Sequence, residues 1–218
     1  MVRPRPPLRS LRSQRDAVRV FARQPSPRII ATGLIGALAL RARDRRFDRR
    51  DGAIVAAVVT TRGLHEWVIH RFVLHAAPRD VLGVTVDPGA GHRAHHDHPD
   101  TIDDALLKPR DAALFLAMIA AYVGLACRPG RRHLAPRNTL TGVAAAYAAL
   151  LTYEWAHYLD HTTVPLRSRV ARQLRLHHRL HHYRDERAWL GITSTIGDRV
   201  FRTSPSSADE HAGQRLGV

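Results

Sequence analysis

Residues Leu176–Tyr183 read Leu-His-His-Arg-Leu-His-His-Tyr, so half of this stretch is histidine. On a helix, positions i, i+3 and i+4 lie within one arc of roughly 100°. His178, His181 and His182 are therefore expected to point the same way. The spacing predicts a helix that presents several imidazoles to one site.

Three more histidine groups precede this stretch, and one of them repeats its H-x-x-H-H spacing. They are His70 and His75, then His92, His95 and His96, then the i,i+4 pair His157 and His161. Imidazole is a ligand for iron, zinc, copper and nickel, so the ten clustered histidines predict a dinuclear metal site built from distant parts of the chain. His70 and His75 would lie about 140° apart on an ideal helix, so their convergence requires a helix end or a distortion.

Other metal and catalytic chemistries do not fit this sequence. Cys127 is the single cysteine, which excludes a disulfide framework and a thiolate metal site. A carboxylate di-iron bundle needs two Glu-x-x-His motifs and two further glutamates, whereas only Glu154 and His157 have that spacing here. The stretch from His65 to His70 has one residue too many for the H-E-x-x-H zinc motif.

Four apolar segments of marginal length suggest the fold class. They are Ile29–Leu40, Ala53–Ile69, Ala112–Cys127 and Thr139–Tyr153, with Arg128–Asn138 predicted as a tight hairpin loop. A soluble bundle needs helices with a polar outer face, and the last two segments have none. The sequence therefore favours an all-α integral membrane protein with about four transmembrane helices in two hairpins. A soluble all-α bundle is the alternative.

The distribution of basic residues predicts the orientation of this membrane domain. Two hairpins place loops 41–51 and 128–138 on one side and all ten clustered histidines on or near the other. The histidine side holds 23 of the 34 basic residues, against 10 in the two loops. By the positive-inside rule, we expect a histidine-rich helical cap on the cytoplasmic face of the cell membrane.

The ends of the chain differ from this central domain, which is taken as residues 29–203. Residues 1–28 contain eight arginines and five prolines, which predicts a disordered or surface-lying basic arm. The formal net charge is +15, but the arm lacks the interleaved aromatic residues of a nucleic-acid site. We therefore expect it to contact lipid headgroups rather than nucleic acid. Residues 204–218 are a polar tail.

The histidine groups, in this order, resemble those of the fatty acid hydroxylase/sterol desaturase superfamily of integral-membrane di-iron enzymes. Glu66 stands four residues before His70, as in the form E-x-x-x-H-R-x-x-x-H. Pro99 and Asp100 follow the second group, close to the form H-H-x-x-P-x-D. The resemblance covers about residues 53–203.

The tail of this domain is closest to the fatty acid 2-hydroxylases, whose pattern is G-I-T-S-x-x-W-D-x-V-F-G-T. Gly191–Ser194 and Asp198–Phe201 match that pattern. Gly197 stands in place of its Trp and Arg202 in place of its second Gly. These departures leave the histidines untouched and bear on substrate identity.

The resemblance implies O2-dependent hydroxylation of a C–H bond in a lipid chain, with fatty acid 2-hydroxylation favoured. The ten histidines would hold two iron ions, with zinc as a substitute, and no further catalytic side chain is expected. Residues that could orient the imidazoles are Glu66, Asp160 and Asp185, and residues that could line the substrate pocket are Tyr153, Trp155 and Tyr158. The sequence lacks a fused cytochrome b5 domain, so a separate ferredoxin or cytochrome b5-type protein is expected to donate electrons.

Three other functions are compatible with parts of this pattern. A carotenoid ring hydroxylase shares much of the histidine layout, and a sterol or lipid desaturase belongs to the same superfamily. A non-catalytic metal-binding membrane protein would bind metal without consuming O2. The Gly-Ile-Thr-Ser tail favours the fatty acid branch.

Overall fold

The computed structural model of the protein describes residues 7–127 and 136–205, which are mostly helical. After a 3₁₀ turn at Leu8–Ser10, the elements are α1 Gln14–Phe21, α2 Pro25–Ala42, α3 Arg49–Ile69, a π-helix His70–Leu74, β1 Arg79–Val81, β2 Val84–Val86, α4 Ala90–Asp97, α5 Ile102–Ala105, α6 Pro109–Ala126, α7 Pro136–Asp160, α8 Arg169–Tyr183 and α9 Ile196–Phe201. Each of the four apolar segments lies in a helix, α2, α3, α6 or α7, apart from Cys127, which caps α6. The helical prediction for these segments is confirmed.

The chain divides into two compact units. The first contains residues 1–62 and 97–165, and the second contains residues 63–96 and 166–218. In the first unit, α2, α6 and α7 pack against one another. Their core is made by Ala37, Val123, Val143, Ala144 and Tyr147.

A buried aspartate joins three helices of the first unit at the end of α2. Asp51 Oδ1 accepts hydrogen bonds from Asn138 and Thr141 at 2.8 and 2.6 Å, and Asp51 Oδ2 lies 3.1 Å from the Arg41 guanidinium. Burial alone would raise the pKa of Asp51. Hydrogen bonds from Thr141, the Asp48 amide and Asn138, together with the Arg41 charge, lower this pKa to about 2.

The N-terminal residues that the structure describes are folded. Ser13 caps α1 by accepting a hydrogen bond from the Asp16 amide at 3.1 Å. Phe21, one turn after the buried Ala17, packs edge-on against Trp155 with ring centroids 5.0 Å apart. The disordered form of the predicted arm therefore does not hold for residues 7–28, because the apolar side chains among the arginines have helical spacing and a surface to pack on. The surface-lying form stays a prediction.

One stretch within the described residues is long and apolar enough to cross a membrane. It is Ile102–Ala126, with a mean hydropathy of 1.4 in a window of which only 11% is buried. The predicted arrangement of four transmembrane helices and a cytoplasmic cap is not decided by this finding. The parts of the predicted hairpin loop and polar tail at residues 128–135 and 206–218 lie outside the described residues.

The second unit contains a two-stranded antiparallel hairpin that the all-α prediction did not include. Val81 pairs with Val84, and the two turn residues, Leu82 and Gly83, both have positive φ. This geometry suits a two-residue hairpin turn, because its twist matches that of the strands. The remaining described elements of this unit are the end of α3, the π-helix, most of α4, α8 and α9.

Candidate metal centre

Five imidazoles of the second unit converge on one point. They are His70, His75, His92, His96 and His181, and their ligand atoms lie within 4.8 Å of one another. His92 is the central member, because its Nε2 lies 2.9 Å from Nε2 of His70 and 3.2 Å from Nε2 of both His75 and His96. His181 Nε2 lies 3.1 Å from His75 Nε2 and 3.2 Å from His96 Nε2. We call this set the first imidazole group.

The π-helix brings the first two members of this group together. The amide of His75 donates to the carbonyl oxygen of His70 at 3.1 Å, which is an i to i+5 bond. This wider turn carries more residues than an α-helical turn, so residues five apart return to the same side. The ring centroids of His70 and His75 are 5.0 Å apart. The distortion that the sequence required is therefore present.

The two H-x-x-H-H motifs are each divided between two groups. His92 and His96 belong to the first imidazole group, whereas His95 lies near His182, with their Nε2 atoms 3.1 Å apart. His182 Nε2 is also 3.1 Å from His178 Nε2. We call His95, His178 and His182 the second imidazole group. The expectation that His178, His181 and His182 point the same way is wrong, because neighbouring residues on a helix diverge by about 100°.

The remaining predicted ligands, His157 and His161, lie in the first unit. Both side chains are buried, and their ring centroids are 5.0 Å apart. His157 is in the last turn of α7, and His161 directly follows that helix. Their i,i+4 spacing places both imidazoles on one side of the chain.

Backbone carbonyls determine which nitrogen of two ligands carries the proton. His70 Nδ1 lies 2.6 Å from the Leu190 carbonyl oxygen, and His181 Nδ1 lies 2.8 Å from the Ala188 carbonyl oxygen. A carbonyl oxygen only accepts, so each Nδ1 donates a proton. In the neutral imidazoles, the Nε2 lone pairs then face the centre of the first imidazole group.

The electrostatics of the first imidazole group favour neutral ligands. Burial lowers the pKa of His75 to about 4, with a further contribution from the charges of His96, Arg71 and Arg93. Burial also lowers the pKa of His92 well below its ordinary value. Neutral imidazole is the form that binds a metal ion.

The spacing of these nitrogens fits a metal ion. Lone pairs facing one another across about 3 Å repel, and a cation between them relieves the repulsion. Metal–imidazole bonds of about 2.0–2.1 Å place neighbouring ligands at such separations. Both groups are composed only of imidazoles, which suits iron, zinc, copper or nickel and disfavours magnesium or calcium.

The three carboxylates predicted to orient imidazoles lie in different environments. Glu66 accepts hydrogen bonds from the Ile192 amide, the Thr193 amide and the Thr193 hydroxyl. Asp160 is buried at the end of α7 in the first unit. Asp185 is exposed, and its carboxylate accepts from the Arg187 amide at 2.9 Å.

Asp198 is a fully buried carboxylate to which the sequence analysis gave no role. Its Oδ1 accepts from the Leu190 amide at 2.9 Å and from the Thr203 hydroxyl at 2.6 Å. Its Oδ2 accepts from the Gly191 amide at 2.8 Å. The available signal was its fixed place in the tail motif, seven residues after Gly191.

Two of the predicted pocket residues pack against α1. The Tyr158 ring is fully buried, and its hydroxyl donates to the Ala17 carbonyl oxygen at 3.2 Å. Trp155 contacts Phe21 as described above. Tyr153 stacks on His157, a predicted ligand, with ring centroids 5.8 Å apart.

The structure shows the surroundings of the two residues that depart from the tail motif, Gly197 and Arg202. A Cβ on Gly197 would lie 2.3 Å from the Trp67 Cβ, so only glycine fits beside this tryptophan. The Trp67 indole stacks on Phe201 at 4.0 Å between centroids and donates to the Thr203 hydroxyl at 2.8 Å. Arg202 has φ of 56°, in the left-handed region that favours the glycine of the motif.

Comparisons with known proteins show the family to which the chain belongs. The sequence model of the family described as fatty acid hydroxylase matches residues 55–203. The chain is 30% identical over 154 residues to a dihydroceramide fatty acyl 2-hydroxylase of Arabidopsis thaliana, covering 71% of this chain and 61% of that protein. It is 26% identical over 141 residues to the fatty acid 2-hydroxylase of Mus musculus, covering 63% of this chain and 36% of that protein. The chain thus spans about three fifths of the first relative and about a third of the second.

A solved structure has the same fold. It is described as full-length Scs7p with only the hydroxylase domain visible, and it aligns with a TM-score of 0.62 at 18% identity, covering 89% of this chain and 67% of that chain. The resemblance inferred from the histidine motifs is confirmed by the family match over more than half of the chain. The protein belongs to the fatty acid hydroxylase family, whose members are oxidoreductase enzymes.

Proposed function

We propose that this chain is an O2-dependent hydroxylase that inserts a hydroxyl group into a fatty acyl chain, with position 2 as the favoured site. The observation that carries this proposal is the convergence of five imidazoles in the first imidazole group, with Nε2 atoms 2.9–3.2 Å apart. The names of the relatives in Arabidopsis thaliana and Mus musculus support the choice of a fatty acyl substrate.

The proposed cofactor is a pair of iron ions. The first imidazole group would hold one ion, and the second imidazole group would contribute ligands to the other. The resemblance assigns His157 and His161 to the same centre as further ligands. When bound, the irons supply the activation of O2 that an unactivated C–H bond requires, with electrons from an external donor. Zinc would bind the same imidazoles without this redox chemistry.

The residues of this chain contribute orientation and charge. His70 and His181 donate through Nδ1 to backbone carbonyls, which leaves each Nε2 available as a ligand. The low pKa of His75 keeps its ring neutral at physiological pH. Neutral imidazoles carry no negative charge, so they would leave the formal charge of the centre equal to that of the ions they hold.

The proposed setting of the reaction is a membrane. Large apolar side chains are exposed on three long helices, at Ile35 and Leu38 of α2, Val59 of α3, and Leu114, Met118, Tyr122 and Leu125 of α6. Such an outer surface suits lipid better than water. We propose that the four apolar segments within α2, α3, α6 and α7 cross the bilayer and that the histidines face the cytoplasm, where a ferredoxin or cytochrome b5-type protein delivers electrons.

Lipid profiling of a host that expresses the chain tests this function. The host is grown under ¹⁸O2 with wild type, with His181→Ala, and with His98→Ala. His181 is fully buried in the first imidazole group, whereas His98 is exposed and belongs to neither group. We expect ¹⁸O-labelled 2-hydroxy fatty acids with wild type and His98→Ala, and none above the host background with His181→Ala.

The other outcomes separate the alternatives. Free and amide-linked fatty acids are hydrolysed and analysed separately, so the pool that carries the label identifies the substrate class. New double bonds without incorporated oxygen would overturn hydroxylation in favour of desaturation. Labelled carotenoids in a carotenoid-producing host would overturn the fatty acyl substrate. Equal yields from wild type and His181→Ala would overturn the role of the imidazoles.

A further inference from the structure

A short buried loop, which we call the carbonyl loop (residues 188–193), connects two metal-ligand candidates to the tail of the domain. The carbonyl oxygen of Ala188 faces Nδ1 of His181, and that of Leu190 faces Nδ1 of His70. The two ligands come from α8 and from the π-helix. The shape of one loop therefore sets the orientation of two rings in the first imidazole group.

Two carboxylates hold the backbone of the carbonyl loop. Asp198 accepts from the amides of Leu190 and Gly191 at 2.9 and 2.8 Å. Glu66 accepts from the next two amides, those of Ile192 and Thr193. Four consecutive backbone N–H groups are thus bound by carboxylate oxygens. Hydrogen bonds to a charged acceptor are about twice as strong as neutral ones, so this anchoring is firm.

The backbone of the loop is strained at its centre. Trp189 lies between the two residues whose carbonyl oxygens accept from the imidazoles, and it has φ of 53°, a conformation that a bulky residue rarely adopts. Its amide donates to the Thr203 carbonyl oxygen at 2.7 Å, and its side chain is buried. Strain of this kind persists only where surrounding contacts impose it. Here the contacts that impose it are those of Asp198, Glu66 and Thr203.

We propose that Asp198 and Glu66 are positioning residues for the metal centre. By holding the carbonyl loop, they keep His70 and His181 in the Nδ1–H form, with both Nε2 lone pairs directed into the first imidazole group. This inference rests on the proposed function, because it assumes that the group binds metal. It adds a pair of residues that act through the carbonyl loop and determine how tightly the metal is held.

The contacts of the two carboxylates allow a contrast between conservative variants. Both carboxylate oxygens of Asp198 accept from backbone N–H groups. In Asp198→Asn, the side-chain amide nitrogen is itself a donor and must face at least one of these N–H groups, so that hydrogen bond is lost. In Glu66, one oxygen accepts both amides and the other accepts the Thr193 hydroxyl. A hydroxyl can rotate and accept, so Glu66→Gln keeps all three contacts. Glu66→Ala removes all three.

The test measures metal affinity in the purified full chain, by competition for Zn²⁺ against a chelator. Outer contacts to metal ligands typically change affinity by about 10–100-fold. We expect Asp198→Asn and Glu66→Ala to lower the affinity for the tighter-bound Zn²⁺ at least tenfold. The affinity of Glu66→Gln should stay within about threefold of that of wild type. Co²⁺-loaded protein should show a changed visible absorption spectrum in the first two variants and the wild-type spectrum in Glu66→Gln.

Asp51→Asn is the matched control. Asp51 is an equally buried, multiply bonded aspartate of the first unit, which contacts Arg41, Asn138 and Thr141. The Asp51→Asn variant should lower the melting temperature, as Asp198→Asn does, and leave the Zn²⁺ affinity unchanged. Equal loss of affinity in both aspartate variants would reduce Asp198 to a stability role and overturn the proposal.

Two further measurements keep the test decisive if Asp198→Asn does not fold. Thr203→Val removes the hydroxyl that donates to Asp198 Oδ1, and a several-fold loss of Zn²⁺ affinity is expected. In metal-free wild type, ¹⁵N spectra of labelled histidines should show His70 and His181 fixed as Nδ1–H. Nε2–H rings would overturn the proposal. Wild type that binds Zn²⁺ but hydroxylates no lipid would count against the proposed function only.

Discussion

His70 donates its Nδ1 proton to the carbonyl oxygen of Leu190 across 2.6 Å, although the two residues are 120 positions apart in the chain. This bond joins the first of the ten clustered histidines to the loop that precedes α9. The two carbonyls that face the rings, those of Ala188 and Leu190, come just before the Gly-Ile-Thr-Ser tail. The first three amides of that tail are bound by Asp198 and Glu66.

Arg202→Gly should stabilise the protein. Arg202 ends α9 in the left-handed conformation, which costs a residue with a side chain about 1 kcal/mol relative to glycine. We expect the free energy of unfolding to rise by about 1 kcal/mol, measured by denaturant unfolding in detergent. The control is Arg199→Gly, which replaces a residue within α9 and should destabilise by a similar amount. A loss of stability in Arg202→Gly would contradict the assigned backbone conformation.

Gly197→Ala should destabilise the protein strongly. Its new Cβ would lie 2.3 Å from the Trp67 Cβ and 2.8 Å from the Gly63 carbonyl oxygen, so the backbone must move. Overpacking of this kind costs about 3 kcal/mol. Gly36→Ala is the matched control, because a Cβ there has no neighbour within 4 Å and it lies within α2. The free energy of unfolding of the control should rise by up to about 1 kcal/mol. Equal melting temperatures for both variants would contradict the close packing at Gly197.

Asp51 should make the first unit sensitive to acid. Its pKa is lowered from 3.8 to about 2 in the folded protein. The unfolded chain therefore binds the proton more tightly, and the stability that Asp51 contributes is complete above about pH 4 and is lost as the pH falls toward 2. At pH 7, the free energy of unfolding of Asp51→Asn should be about 3 kcal/mol lower than that of wild type. Between about pH 4 and 2, the free energy of unfolding of the variant should fall less steeply than that of wild type. An unchanged acid profile in thermal unfolding would contradict this assignment.

Cys127 offers a test of the proposed membrane orientation. It directly follows α6 and is partly exposed. If the histidines face the cytoplasm, Cys127 lies at the opposite face and should react with a membrane-impermeant maleimide in intact cells. A Cys127→Ser, Asp185→Cys double variant moves the thiol to the exposed Asp185 position and should react only after the cells are permeabilised. The reverse pattern would contradict the orientation, and labelling of both from one side would contradict the four-helix arrangement.

The sequence predicted the helices better than it predicted the arrangement of the histidines. Continuous apolar segments are local signals, so the helices that contain them follow directly from the sequence. The i,i+4 spacing of His92 and His96 is also local and agrees with their place in one group. For the π-helix after Ile69, the sequence indicated only that the helix must end or be distorted there for His70 and His75 to converge. No local sequence signal distinguishes a π-helix from an ordinary helix end.

Other features depend on contacts between distant residues. The division of each histidine motif between two groups depends on which neighbour each helix faces. The order of residues 7–28 depends on packing of Phe21 against Trp155, which an arginine-rich composition conceals. The role of Asp198 appears only when the carbonyl loop is seen beside His70 and His181.

The most direct test of the metal centre is the elemental content of the purified protein. His92→Ala removes a nitrogen that lies within 3.2 Å of the Nε2 atoms of His70, His75 and His96 in the first imidazole group. Wild type and His98→Ala, purified from iron-replete cells, should each contain about two transition-metal ions per chain, and His92→Ala about one or fewer. Wild type with no bound metal, or His92→Ala with the full wild-type content, would contradict a metal centre built on these imidazoles.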